Sequence, residues 1–140
     1  MTAARRRRHH RRIRGALVLL VVLLGCERAR PAALDSPVAA ARCEASAIRS
    51  RDVTAWLACI HPNIRDEANR ELAREKLDWA RFETQLTKLD HASASDFKIT
   101  DPPPNRAEFG DKVAELRLDE DSLEVVHAKD GHWYIVDTGI

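Results

Sequence analysis

Long apolar runs are almost missing from this sequence. The longest, Ala16 to Leu24, has nine residues, whereas a helix needs roughly 20 to cross the hydrocarbon core of a bilayer. That run is too short for a permanent span. Motifs that carry chemistry are missing as well. The chain has no Gly-x-Ser-x-Gly elbow, no phosphate loop and no dinucleotide fingerprint, so the usual signals of serine hydrolases and nucleotide enzymes are absent. No His-Glu-x-x-His spacing points to a metal, and no Cys-x-x-Cys points to thiol–disulfide catalysis. The expectation is a protein with no cofactor, no metal centre and no catalytic residue that can be named.

What is present is concentrated at the N-terminus. Residues 5–26 read RRRRHHRRIRGALVLLVVLLGC, with seven arginines ahead of the apolar run. A basic block followed by a short apolar middle is the build of an export signal. Its end, Leu23-Leu24-Gly25-Cys26, resembles the lipobox of bacterial lipoproteins. The resemblance implies cleavage between Gly25 and Cys26, lipidation of the Cys26 sulfur and acylation of the new amino terminus. Two or more acyl chains hold a protein firmly on a membrane, at about 0.8 kcal/mol per buried methylene. Residues 1–25 then form the signal peptide, and residues 26–37 the lipidated cysteine and a tether. In that family an aspartate after the cysteine retains the protein at the inner membrane. Glu27 follows here, which leans toward the outer membrane, with the domain facing the periplasm.

Removing the leader changes the charge. The whole chain carries 23 Lys+Arg and 22 Asp+Glu. The seven leader arginines leave 16 basic residues against the same 22 acids, a charge near −6. That disfavours nucleic acid as a partner. Cys43 and Cys59 remain, an even number in a compartment where disulfides persist. They are either a disulfide closing a short loop or two buried thiols acting as small apolar side chains. The tether, ERARPAALDSP, spans at most about 35–40 Å when extended.

Residues 38–140 read as a single α+β domain. Ser36 and Pro37 suit a helix start, and Val38, Ala41, Ala45 and Ile48 follow at helical spacing. Asp52 can cap a short helix from Val53 to about Ile60, ended by His61-Pro62. A third helix is expected from about Arg65 to Asp90, with Ala68, Leu72, Trp79, Phe82, Leu86 and Leu89 as its apolar stripe and Glu75 as an unexplained acid on it. Period-two patterns then indicate strands around Phe97 and Ile99, at Ala114–Leu118, at Leu123–Lys129 and at His132–Thr138. The three prolines after Asp101 suggest a stiff, extended connector. Asp130-Gly131 is a hairpin signal. A two-residue turn there pairs Ala128 with Trp133, His127 with Tyr134, Val126 with Ile135 and Val125 with Val136. Both faces of this hairpin then carry apolar side chains. One face can pack on the helices, and the other is either ordinary exposed surface or covered by a second copy of the chain.

Three segments resemble the nuclear-transport-factor-2-like superfamily, including its SnoaL-like branch. They are Ala45 to Pro62 (a helix, a turn with Asp52, a short helix and a proline), Phe109-Gly110-Asp111-Lys112-Val113-Ala114-Glu115-Leu116, and the final Gly131-His132-Trp133-Tyr134-Ile135. The resemblance spans about residues 37–138. It implies helices packed on a curved antiparallel sheet around a cone-shaped pocket, although no strand is evident between the second and third helices. The expected function is a non-catalytic binding or assembly module that holds a protein partner, a second copy or a small apolar ligand. The alternative is a small pocket enzyme of the isomerase or hydratase type. His127, Tyr134 and Trp133 are the candidate pocket or contact residues. With Asp101 or Asp137 nearby, His127 and Tyr134 could do acid–base work. If Trp133 and Ile135 face the helices, His127 and Tyr134 face away and favour a contact surface.

Overall fold

The structure is a computed structural model that describes residues 33–74, 79–119 and 121–138. The leader, Gly25, Cys26 and most of the tether lie outside the described residues, as does Glu75. Helix α1 (Pro37–Ser50) starts where the Ser36 hydroxyl accepts a hydrogen bond from the Ala39 N–H at 3.1 Å, with Pro37 in the first turn. It ends at Arg51, whose left-handed backbone (φ 51°) turns the chain so that the Asp52 N–H reaches the Ala47 carbonyl at 3.0 Å. Asp52 then caps α2 (Val53–Cys59), accepting from the Ala55 N–H at 3.0 Å.

The expected third helix is interrupted at Thr84-Gln85. Helix α3 (Pro62–Arg74) begins earlier than Arg65, because Pro62 suits a first helical position and the His61 ring caps it, its Nδ1 accepting from the Asn63 N–H at 3.2 Å. Helices α4 (Trp79–Glu83) and α5 (Leu86–His91) are separated at Thr84-Gln85. There the Thr84 and Gln85 N–H groups bond three residues back, to Arg81 and Phe82, and the Thr84 hydroxyl also bonds the Arg81 carbonyl at 2.7 Å. Such tight turns and back-bonding hydroxyls interrupt helices.

Four strands follow: β1 (Phe97–Thr100), β2 (Lys112–Arg117), β3 (Ser122–His127) and β4 (Trp133–Asp137). They form one antiparallel sheet in sequence order, so the domain is α+β. The register places Phe97, Leu116 and Leu123 in one row and Ala114, Val125 and Ile135 in the next. All six are buried with α1 in the main core. Helix α1 presents Ala40, Ala41, Ala45, Ala47 and Ile48 to this core. It packs against α2, α4, α5, β3 and β4, and its small residues let neighbours approach closely. The Cys43 and Cys59 sulfurs, 2.05 Å apart, form a disulfide that joins α1 to the end of α2.

The hairpin differs from the expected one by a single residue. The turn has three residues, 129–131, closed by bonds from the Gly131 N–H to the Ala128 carbonyl and from the Ala128 N–H to the His132 carbonyl. Gly131 supplies the required positive φ, +84°. Asp-Gly suits this longer loop as well as the two-residue one. The shift pairs His127 with Trp133, Val126 with Tyr134 and Val125 with Ile135. Because side chains alternate, a one-residue slip moves partners to opposite faces.

The proline segment is also not an extended strut. Residues 101–111 turn at Pro103, whose carbonyl accepts from the Arg106 and Ala107 N–H groups, and fold back over the outer face of the sheet. Arg106 bonds Glu124 at 2.9 Å and lies 3.5 Å from Asp137. Phe109 comes to rest beside His61, and Val113 and Val126 are buried within the one chain. The β4 edge is closed by two further segments. The Trp133 N–H donates to the Leu34 carbonyl at 2.7 Å, and the His61 N–H to the Ile135 carbonyl at 2.9 Å. Ile60 forms a single parallel bridge with Ile135.

Candidate functional site

Three segments converge on the outer face of the sheet. Strand β4 places Tyr134 there opposite Val126, the start of α3 places His61, and the folded-back segment brings Phe109. The His61 ring meets Phe109 edge-on at 5.2 Å between centroids and Tyr134 at 5.6 Å. A pocket of about 250 Å³ opens between them, with Asn63, Glu108, Lys129 and Asp130 also in its lining.

The polar groups at the pocket largely satisfy one another. Because His61 Nδ1 accepts from the Asn63 N–H, Nε2 carries the proton and donates to the Phe109 carbonyl at 3.2 Å. His61 is only 6 % exposed, and burial pushes its pKa below the usual histidine value, partly offset by the Phe109 carbonyl and the Asp130 charge. It is a neutral ring with both nitrogens engaged. The Tyr134 hydroxyl donates to Asp130 at 2.9 Å, and burial followed by that bond raises the Tyr134 pKa. Asp130 also accepts from the His132 N–H at 3.0 Å, the leading cause of its lowered pKa. This arrangement can hold a small polar group at its rim, where Lys129 and Glu108 offer opposite charges.

The structure separates His127 from Tyr134. His127 lies on the helix-side face beside Trp133, at 5.0 Å between rings, and its Nδ1 meets Asp111 at 2.8 Å. Neither Asp101 nor Asp137 serves it. Asp101 is bound to Lys112 and Asp137 lies beside Arg106. The Asp111 carboxyl is held below the ordinary range chiefly by the His127 bond. An Asp–His pair orients an imidazole, but no hydroxyl or thiol among the described residues is recorded in hydrogen-bond reach of it. Among those residues no three His, Cys, Asp or Glu side chains stand close enough to share a metal ion.

Sequence reasoning missed His61, Asp130 and Glu44. His61 reads as a helix stop before proline and as a surface or capping residue, and Asp130 only as turn chemistry. Glu44 had a visible signal, since it falls between Ala40, Ala41 and Ile48 on the apolar stripe of α1. It is fully buried, with Oε1 3.3 Å from the Trp56 indole N–H.

The His61 contacts carry a testable cost. His61→Ala leaves the Asn63 N–H and the Phe109 carbonyl without their ring partner. We expect a loss of about 2 kcal/mol in urea unfolding, the range for orphaned buried polar groups. A change below about 0.5 kcal/mol, the scatter of ordinary surface substitutions, would show that the ring does not hold these segments together. Comparison with protein families, characterised proteins and solved structures finds no match to this chain.

Proposed function

We propose that the chain is a lipid-anchored protein of the bacterial envelope, facing the periplasm, whose domain is a non-catalytic binding or assembly module with a nuclear-transport-factor-2-like build. The observation that carries the module reading is how the space between helices and sheet is filled. Trp56 and Phe82 meet edge-on at 5.9 Å, Trp79 packs on Phe82 at 5.9 Å, and Leu89 is fully buried beside them. Filling of this kind supports a module over a substrate-holding pocket. The Cys43–Cys59 disulfide supports export, since such bonds persist in oxidising compartments. The helix–turn–helix from α1 to Pro62, the Ile60 bridge to the last strand and the strand order support the fold reading. The outer-face pocket is where a protein partner, a second copy or a small ligand would dock.

A pocket enzyme is the second reading, favoured by the grouping of His61, Tyr134 and Asp130 around one pocket. Cys26→Ser tests the anchor. The wild-type protein should sediment with membranes and the variant should move to the soluble fraction. A variant that stays bound would overturn the lipid reading. A native mass spectrum of wild-type protein extracted in mild detergent should start at Cys26 and carry lipid mass. Bound small-molecule mass would turn attention to the pocket, and its absence, with the chain alone or as a dimer, would favour a protein-contact role.

A further inference from the structure

Helix α1 buries a carboxyl group in the middle of its apolar face. Glu44 is fully buried. One of its oxygens takes the Trp56 indole N–H at 3.3 Å, and the other has no hydrogen-bond partner among the described residues. A carboxylate in such a place loses its hydration and gains one neutral donor, so the neutral acid is the form that fits. The neighbouring residue, Cys43, holds the disulfide to Cys59, and Trp56 lies one turn before Cys59 on α2. The carboxyl therefore sits at the junction of α1 with α2.

Among the described residues no charge compensates it. The elements packed on α1 carry Asp52 at the start of α2, Arg81 and Glu83 on α4, Lys88, Asp90 and His91 on α5, Glu124 and His127 on β3, and Tyr134 and Asp137 on β4. Lys88 pairs with Asp119, His91 bonds the Thr87 carbonyl and Tyr134 bonds Asp130. Asp52 caps α2, Glu83 pairs with Arg51, and Asp90 pairs with Arg49. Glu124 and Asp137 lie beside Arg106, and His127 meets Asp111. None of these bonds Glu44, and Arg42 and Arg49 on α1 itself make no ion pair with it.

We infer that Glu44 is a proton-operated latch: the α1–α2 junction closes on its neutral side chain and loosens when that side chain ionises. The disulfide limits how far the helices part, so the loosening is local and reversible. Burial raises the Glu44 pKa from 4.5 to about 8, opposed only by the Trp56 bond. The folded pKa lies above the unfolded one, so the stabilising effect is complete below about pH 4.5 and is lost as pH rises toward 8. His61, buried in its neutral form, acts in the opposite direction and is common to every variant compared.

The test is urea unfolding of the full chain in mild detergent, from about pH 5 to about pH 9, for wild type, Glu44→Gln and Glu44→Leu. The wild-type folding constant should fall relative to the Gln variant by up to about tenfold per pH unit until about pH 8, and then level off. Wild type should fall in the same way relative to Glu44→Leu, which keeps the test decisive if the Gln variant folds poorly. Amide exchange in α1 and α2, corrected for intrinsic rates, should rise with pH in wild type alone. Parallel profiles for all three proteins would overturn the latch. So would an offset that does not depend on pH, which would mean that Glu44 only accepts the Trp56 bond.

Discussion

Gly110→Ala should lower the melting temperature by more than about 10 °C, equivalent to roughly 3 kcal/mol or more in a domain of this size. A Cβ built on Gly110 would lie 2.1 Å from the His127 carbonyl oxygen and 2.7 Å from its carbon. Both are backbone atoms of β3, so no rotamer change relieves the clash. The chain must lift away from the strand, which breaks the bond from the Asp111 N–H to the His127 carbonyl. Phe109 is the preceding residue and moves with it, leaving the His61 Nε2–H without its acceptor. Val113 and Val126, buried and paired on the outer face of the sheet, should gain exposure. Gly131→Ala is the control. Nothing lies within 4 Å of its added Cβ, and only the positive φ of 84° opposes it, at about 1 kcal/mol. Thermal melting followed by circular dichroism ranks the two. If Gly110→Ala melts as well as Gly131→Ala, the 101–111 segment does not rest on the sheet as described.

That segment shows where sequence reading stops. Three successive prolines say that the chain cannot join a ladder and favours extended backbone. They do not say where it turns, which depends on the Arg106 and Ala107 N–H groups reaching back to Pro103 and on Arg106 finding Glu124 across the sheet. Such long-range partners leave no local pattern. The caps are the opposite case. Ser36, Asp52 and the proline after His61 act within three residues of their position, so the bounds of α1 and α2 are legible in the sequence. The hairpin lies between these extremes. Asp130-Gly131 marks the turn, but two-residue and three-residue loops share that dipeptide. The extra residue left Tyr134 on the outer face with His61 and moved His127 to the helix side with Trp133. One of the three candidate residues, His127, therefore changed sides on one residue of loop length.

The long helix expected through Asp90 fails for a related reason. Its apolar stripe is real in part, since Phe82 and Leu89 are buried in the core. Period alone cannot register a break when the turn at Thr84-Gln85 keeps both residues facing inward. Glu44 makes the complementary point. A carboxyl on an apolar stripe is readable as an anomaly in the sequence, whereas its partner Trp56 is known only once α2 folds back along α1.

Removing the disulfide with Cys43→Ala and Cys59→Ala should cost about 3 kcal/mol under oxidising conditions, and lower the melting temperature by more than about 10 °C. The two residues are 16 apart in sequence, and closing a loop of that length removes conformational entropy from the unfolded chain. The folded side of the balance adds to the loss. Helix α2 has only seven residues, well short of what holds a helix by itself in water, and Cys59 is fully buried, so truncation there also leaves unfilled space. The end of α2 leads directly into the Ile60 bridge and the His61 cap, which seat α3 and the edge of β4. Freeing α2 therefore weakens the outer-face pocket as well as the junction at Glu44. Adding a thiol reductant separates the bond from the packing. It should lower the wild-type melting temperature toward that of the double variant and leave the variant unmoved. If the reductant changes neither protein and the double variant melts with wild type, the two sulfurs are not bridged, and the oxidising compartment loses its structural support.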